Sequence, residues 1–345
     1  SNKILFVSGF FYKHTVSKLF FNFVKEFFNI KKLNVNLLYI SNKEDNWTQE
    51  YKELDVNFYK ILNNKKIYNF LKNENFGSIF FLDHAMNNIS QFIINTKLAK
   101  NYFIFWGHPI TTGSINMDYF ISSSLMDKGN DDHYSEKLIL LNGIGFNYKV
   151  DENLKKIENC EIKKNSIYIP QGIFKFLPKY DYLYGEILAQ NENLTISFIK
   201  DKDPYYTNKF KNRLKKVKSI KKNFDRLIFI EGMSQSAYYK ELNKYKLILD
   251  TIGWSGGNTT MEALYLNKPI ITLRGNNLRA NHTAAILGQL DLDILIAKDY
   301  KEYLYLVKKI MIDKDFYELI TNKISKNKLS IFNNNISLYE GVKNF

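Results

Sequence analysis

Leu249-Asp250-Thr251-Ile252-Gly253-Trp254-Ser255-Gly256-Gly257-Asn258-Thr259-Thr260-Met261-Glu262-Ala263-Leu264 runs an apolar strand into a loop with three glycines and out into a helix. Glycines let a backbone approach a ligand closely and expose its N–H groups. The start of a helix adds orphan donors and a partial positive charge, which stabilise a diphosphate without any cation. Asn258, Thr259 and Thr260 are suited to cap the helix and to offer side-chain donors. Glu262 falls one turn in, where a carboxylate can take two hydrogen bonds from a ribose diol. The competing reading is a capped helix after a Gly-rich turn, with Glu262 favoured by the dipole alone.

The same strand–turn–helix unit recurs on both sides of this loop. In the first half, strand patterns at 3–8, 33–40, 56–62, 77–83 and 102–106 alternate with helix patterns at 13–28, 66–72 and 86–98, and short apolar pieces follow at 119–122 and 137–141. In the second, strands at 166–169, 194–199, 226–231, 247–250 and 269–273 alternate with helices at 179–189, 207–217, 236–244 and 259–266; helices at 278–287 and 300–312 come after. Such alternation specifies parallel sheets covered by helices, hence an α/β protein. The polar stretch 150–165 reads as a boundary. The expected division is residues 1–155, residues 156–325, and a helical tail 326–345 packing back on the first domain. Doubly wound units bind ligands at the C-terminal ends of their strands and in the crevice between units. A dinucleotide fingerprint is missing, because the first strand ends Ser8-Gly9-Phe10-Phe11-Tyr12.

Composition narrows the class. The 345 residues suffice for two domains, and 45% hydrophobic with 24% charged residues excludes a disordered chain. The single cysteine, Cys160, excludes a disulfide framework and suits a reducing compartment. Forty-nine lysines and arginines against 35 carboxylates leave a net charge of +14, which favours anionic partners. No segment has the roughly 18 uninterrupted apolar residues of a membrane helix, and none reads as a cleavable signal, so a cytoplasmic location without a membrane span is expected.

Three further turns crowd polar groups at strand ends. Trp106-Gly107-His108-Pro109-Ile110-Thr111-Thr112-Gly113-Ser114 offers the dense short polar side chains that sugar hydroxyls need, or else a self-satisfied turn. Ser8–Thr15 places Lys13 and His14 at the mouth of the first unit. Ile169–Pro178 places Lys175 where it could reach phosphates at Gly256-Gly257. Asp201-Lys202-Asp203 and Asp291-Leu292-Asp293 could hold a hard cation, but polar loop residues are the simpler reading. The densest basic run, 209–222, has Phe210, Leu214 and Val217 at helical spacing, which makes it a solvated helix face rather than a nucleic-acid site.

Taken in order, these segments resemble the catalytic region of the O-linked N-acetylglucosamine transferases and of the bacterial cytoplasmic N-glucosyltransferases that modify adhesins. The resemblance rests on Leu249–Leu264, on Pro269–Gly275 with Leu278 and Leu287-Gly288, on Gly107-His108-Pro109 with Thr111-Thr112-Gly113 and Asp118-Tyr119, and on Tyr134–Leu138. It implies two facing Rossmann-like domains of GT-B type, with the nucleotide-sugar site in the cleft between an acceptor-side N-domain and a UDP-sugar-binding C-domain. It further implies an inverting enzyme that moves GlcNAc or glucose from a UDP-sugar to a Ser/Thr hydroxyl or an Asn amide, with no metal and no other cofactor. The acceptor implied is an acidic or polar protein, such as a surface-structure subunit. On this resemblance Lys175 holds the diphosphate, Asn258, Thr259 and Thr260 the phosphates, and Glu262 the ribose. Gly107, Pro109, Thr111, Thr112, Gly256 and Gly257 line the donor, and His14, His108 and Lys175 are the catalytic candidates. The sequence departs from the family at Glu262 (commonly Asp), at Asn258 (His in some members), at Arg279–His282, and at Gln171, which is offset by one residue. A non-catalytic sugar-nucleotide-binding protein and a basic nucleic-acid-binding protein are the alternatives.

Overall fold

A computed structural model describes residues 2–127 and 131–345. The chain divides into two compact units, one made of Ser1–Val150 and Phe332–Phe345, the other of Asp151–Ile331. Each is a parallel sheet with helices as crossovers, as the alternating pattern requires.

In the first unit the strands are β1 (Lys3–Ser8), β2 (Asn34–Tyr39), β3 (Asn57–Lys60), β4 (Ser78–Phe81), β5 (Asn101–Phe105), β6 (Tyr119–Ser123) and β7 (Lys137–Leu141), in the order β3-β2-β1-β4-β5-β6-β7. Continuous apolar runs such as Ile4–Val7 and Ile79–Phe81 are buried on both faces of the sheet. Phe6, Phe80 and Phe103 stack in series, with Phe80 and Phe103 ring centroids 4.5 Å apart, and Phe27 meets Phe6 and Phe80 edge-on. In the second unit β8 (Lys163–Ile169), β9 (Thr195–Ile199), β10 (Leu227–Ile230), β11 (Tyr245–Leu249), β12 (Ile270–Leu273) and β13 (Ile296–Ala297) follow the order β10-β9-β8-β11-β12-β13.

Several boundaries differ from expectation for identifiable reasons. The helix Asn46–Lys52 falls where no element was predicted; Asp45 and Thr48 close a capping box at its start, and Trp47, Thr48 and Tyr51 are buried. Strand β8 begins three residues early, inside the polar boundary stretch, because its first residues pair while exposed. The first break lies at 150/151 rather than after 155, since Leu154 is fully buried in the second unit and Asp151 lies 3.0 Å from the Tyr239 hydroxyl. Residues 326–331 likewise stay with the second unit, where Asn327 and Lys328 donate to the carbonyls of Leu290 and Tyr265. The basic run is interrupted: Pro204–Lys215 buries Thr207, Phe210 and Leu214, while Val217 sits in a break before the short helix Lys218–Lys221.

The terminal segment 332–345 packs on the first sheet. Glu26 accepts the amides of Leu338 (2.9 Å) and Tyr339 (3.3 Å) and the Ser337 hydroxyl, so one carboxylate caps the helix Leu338–Val342. Replacing Glu26 by Ala strands these donors and should cost about 1–3 kcal/mol. The check is urea unfolding with limited proteolysis: a lower midpoint and new cleavage within 332–345 are expected, and an unaltered midpoint and pattern would contradict the capping role.

Candidate functional site

Strand order in each sheet reverses next to its first strand, between β1 and β4 in one unit and between β8 and β11 in the other. Ligands of open α/β sheets bind beyond the carboxyl ends of strands at such reversals. The turns singled out from sequence at 8–15 and 169–178, and the glycine loop after β11, start at these positions.

In the second unit Asp250 directly follows β11 and is buried. Its carboxylate accepts the amides of Thr251 (2.9 Å) and Gly256 (2.7 Å) and the hydroxyls of Ser255 (2.6 Å) and Thr272 (2.7 Å). Burial pushes its pKa up, against the pull of these hydrogen bonds. The loop is thereby fixed from its first residue to the start of the next helix. Thr283, in the helix His282–Gln289, donates from its hydroxyl to the Gly256 carbonyl (2.9 Å) and from its amide to Ser255 Oγ (2.9 Å), so a second helix start is tied to the same loop. His282 hydrogen-bonds the Ser255 backbone; burial, with Lys175 nearby, lowers its pKa to about 3.

The helix after the loop, Asn258–Tyr265, carries no side-chain cap; Gly257 is its N-cap residue. This corrects the expected capping by Asn258, Thr259 and Thr260. Thr260 is fully buried and its hydroxyl turns back to the Gly256 carbonyl (2.7 Å), while Thr259 accepts from Gln171 Nε2 (2.5 Å). The first intrahelical bond runs from Met261 N–H to Gly257 (3.1 Å), so the amides of residues 258–260 precede it. Gly256 lies against that contact: a Cβ there would come within 2.3 Å of Gln171 Nε2 and 2.4 Å of Thr259 Oγ1.

Lys175 follows β8, in the 3-10 turn Ile173–Lys175, and donates to Gln171 Oε1 (2.7 Å). Lys175, Gln171 and Thr259 thus form one hydrogen-bonded chain across the strand reversal. Gln171, offset in sequence from the family's pattern, is its middle link. Burial lowers the Lys175 pKa to about 8, partly opposed by the Asp250 charge. Glu262 is buried one turn into the helix and accepts the Tyr239 hydroxyl (3.2 Å), with Tyr238 close by. Its environment is therefore a tyrosine cluster beneath the loop.

In the first unit β4 is followed, after Leu82, by Asp83 and His84, neither of which stands among the candidates named from sequence. Asp83 is buried; Oδ2 accepts the Ser8 hydroxyl (2.8 Å), Oδ1 has no hydrogen-bond partner among the described residues, and burial raises its pKa to about 6. The Ser8 hydroxyl accepts the Phe10 amide (3.0 Å), and the Phe10 ring stacks on His14 at 4.1 Å. His14 caps the helix Thr15–Phe28, its Nδ1 accepting the Val16 amide (3.3 Å). Burial, Lys43 and Lys18 lower its pKa to about 4, so at neutral pH it is uncharged with its proton on Nε2.

His84 stands edge-to-face with His108, ring centroids 5.6 Å apart. Burial and His108 lower the His84 pKa to about 4, and Nδ1 has no partner among the described residues. Gly107 is required for the fold: a Cβ would meet the Leu82 carbonyl oxygen at 2.2 Å. Pro109 sits in a three-residue turn closed by Ile110 N–H to His108 O (2.9 Å). Glu136, buried just before β7, takes the hydroxyl of Thr111 (2.7 Å), the amide of Thr112 (2.7 Å) and the Thr112 hydroxyl. The turn is therefore held by a distant carboxylate in addition to its local hydrogen bonds.

Among the described residues no three His, Cys, Asp or Glu side chains cluster as a metal site, and no helix is long and apolar enough to cross a membrane. Asp203 caps the helix Pro204–Lys215, and Asp201 accepts the Asp203 amide (3.0 Å).

No protein-family model matches the chain. It is 26% identical over 216 residues to a probable UDP-N-acetylglucosamine–peptide N-acetylglucosaminyltransferase SPINDLY of Hordeum vulgare, and 27% identical over 218 residues to its namesake in Eustoma exaltatum subsp. russellianum. These alignments cover 60% of this chain but only 22% and 23% of those relatives. Among solved structures, a mutant O-GlcNAc transferase of Thermobaculum terrenum superposes with TM-score 0.85 at 19% identity, over 96% of this chain and 64% of that one. Anabaena HepE with UDP and glucose gives 0.57 at 10% identity, over 96% and 95%. The fold is that of GT-B glycosyltransferases, and the resemblance to the O-GlcNAc transferase-like family is upheld.

Asp250→Ala removes the acceptor of four buried donors, and a loss of about 3 kcal/mol or more is expected. Denaturant unfolding should show it together with faster amide exchange at 255–260. Unchanged stability and exchange would remove Asp250 from its organising role.

Proposed function

We propose that this chain transfers a sugar, GlcNAc or glucose, from a UDP-sugar to a protein side chain with inversion at the anomeric carbon. The observation that carries the reading is the chain Lys175–Gln171–Thr259 beside the helix start after Gly257, at the strand reversal of the second unit. A diphosphate fits the donors gathered there: one ammonium and the leading amides of a helix. The named relatives and a UDP-bound structural neighbour support the same nucleotide class.

In this mechanism an acceptor hydroxyl or amide attacks the anomeric carbon opposite the diphosphate. The bond from that carbon to the diphosphate oxygen breaks, and UDP departs with its electron pair. Lys175 and the amides of 258–260 meet the growing negative charge, so no metal is required. Glu262 and the Tyr238–Tyr239 cluster sit one turn below, where a ribose would lie. A base takes the acceptor's proton, and the first unit, considered by itself, contains candidates. His14 is poorly suited to take it, since its Nδ1 already accepts an amide; its Nε2–H is a donor. Asp83, with a buried Oδ1 that has no partner among the described residues and a pKa of about 6, is better suited as base, beside His84 and His108. A cytoplasmic enzyme acting on an acidic or polar surface-structure subunit completes the reading.

Mass-spectrometric transfer and donor-hydrolysis assays across UDP-glucose, UDP-GlcNAc and UDP-GalNAc test it. Lys175→Ala should lower turnover tens- to a thousand-fold, about 2–4 kcal/mol; near-normal turnover would contradict the assignment. Chelation should leave wild-type turnover unchanged, and a loss restored by a divalent cation would overturn metal independence. Lys175 is charged below about pH 8 and neutral above. UDP affinity should therefore weaken as pH rises through 8 in titration calorimetry, and Lys175→Met should flatten that profile. A wild-type profile flat from pH 6.5 to 9.5 would contradict the role.

A further inference from the structure

We propose that a cationic, aromatic-walled cavity on the second unit docks an acidic segment of the acceptor protein; this rests on the protein-glycosylation reading above. The cavity has a volume of about 780 Å³ and lies between the turn that carries Lys175 and the helix Pro204–Lys215. Phe174, two-thirds exposed, and Tyr206, half exposed, form its apolar walls, and Lys209, Arg213 and Lys216 its charged ones.

Charge decides the class of occupant. Residues 202–222 hold nine lysines and arginines and one carboxylate, a net +8 in a chain of net +14. Arg213 is spent internally on Asp181 (2.7 and 3.0 Å) and the Phe176 carbonyl (2.9 Å), which fixes the cavity floor. Among the described residues Lys209 donates to the Tyr205 hydroxyl (3.0 Å) and forms no ion pair. Burial accounts for Thr207, Phe210 and Leu214, of which Phe210 also lines the cavity, but it does not account for two exposed aromatic rings beside the cations. Carboxylate side chains pair with the lysines, and an apolar or aromatic side chain between them fills the space against Phe174 and Tyr206. Asp201, also in the lining, accepts the Asp203 amide (3.0 Å) and so belongs to the start of the helix that carries the cations. Position gives the contact a purpose. Phe174 precedes Lys175 and packs against Trp254 of the glycine loop at 5.2 Å, so a segment seated there is held one residue from the proposed diphosphate lysine.

The probe is a fluorescein-labelled twelve-residue peptide with five Glu and a central Phe, compared by anisotropy with its Glu→Gln counterpart and with a twelve-nucleotide single-stranded RNA. The full chain should bind the acidic peptide at least tenfold tighter than the Gln peptide, with affinity falling steeply between 50 and 300 mM salt. Lys209→Glu/Lys216→Glu should abolish that preference. Phe174→Ala should weaken the Phe-bearing peptide several-fold more than a Phe→Ser version. Equal binding of both peptides, or an unaffected double variant, would overturn the proposal. Preferential binding of the RNA, lost in the same variant, would also overturn it and make this face a nucleic-acid surface. UDP affinity, measured in parallel, should be unchanged in Lys209→Glu/Lys216→Glu. Failure of wild type to bind UDP would instead undo the glycosyltransferase reading.

Discussion

The buried carboxylate of Asp250 is the constraint on which the candidate site depends. Four donors converge on it from the residue after it, from the far side of the glycine loop and from β12. Burying a charge is costly unless it is fully hydrogen-bonded, and here the bonding is done by the loop itself. The carboxylate thus has one low-energy loop conformation, the one in which Gly256 and Gly257 lead into the helix Asn258–Tyr265 with its first amides outward of the intrahelical ladder. Gly256 is fitted to that conformation, because a side chain there would displace Gln171 and break the link to Lys175.

A comparable arrangement occurs in the first unit with different chemistry. There the reversal between β1 and β4 brings Ser8 and Asp83 together, and Glu136 reaches back to hold Thr111 and Thr112. One unit presents cations and amides suited to a diphosphate. The other presents a carboxylate of raised pKa and two imidazoles, suited to moving a proton.

Much of this was legible in the chain. Alternation of apolar runs with helical period located both sheets, and the Gly-rich loop announced a close backbone approach. What escaped depends on contacts distant in sequence. Glu136 lies 24 residues beyond Thr112, and nothing in spacing pairs them. Asp83-His84 looks like the polar end of a strand; only the sheet order, with β4 beside β1, puts it at the strand reversal and makes it a candidate. Thr259 and Thr260 read as equivalent caps, yet one turns to Gln171 and the other to the Gly256 carbonyl, a choice set by Thr283 on another helix. The helix Asn46–Lys52 was missed because its capping box, Asp45 to Thr48, uses Thr rather than Glu or Gln.

The most direct measurement of the central claim is a crystal structure of the chain soaked with UDP. The account predicts diphosphate oxygens within hydrogen-bonding distance of Lys175 Nζ and the amides of residues 258–260, with the Asp250 contacts unchanged. Ordered UDP bound elsewhere, with the Lys175–Gln171–Thr259 chain intact and untouched, would contradict it.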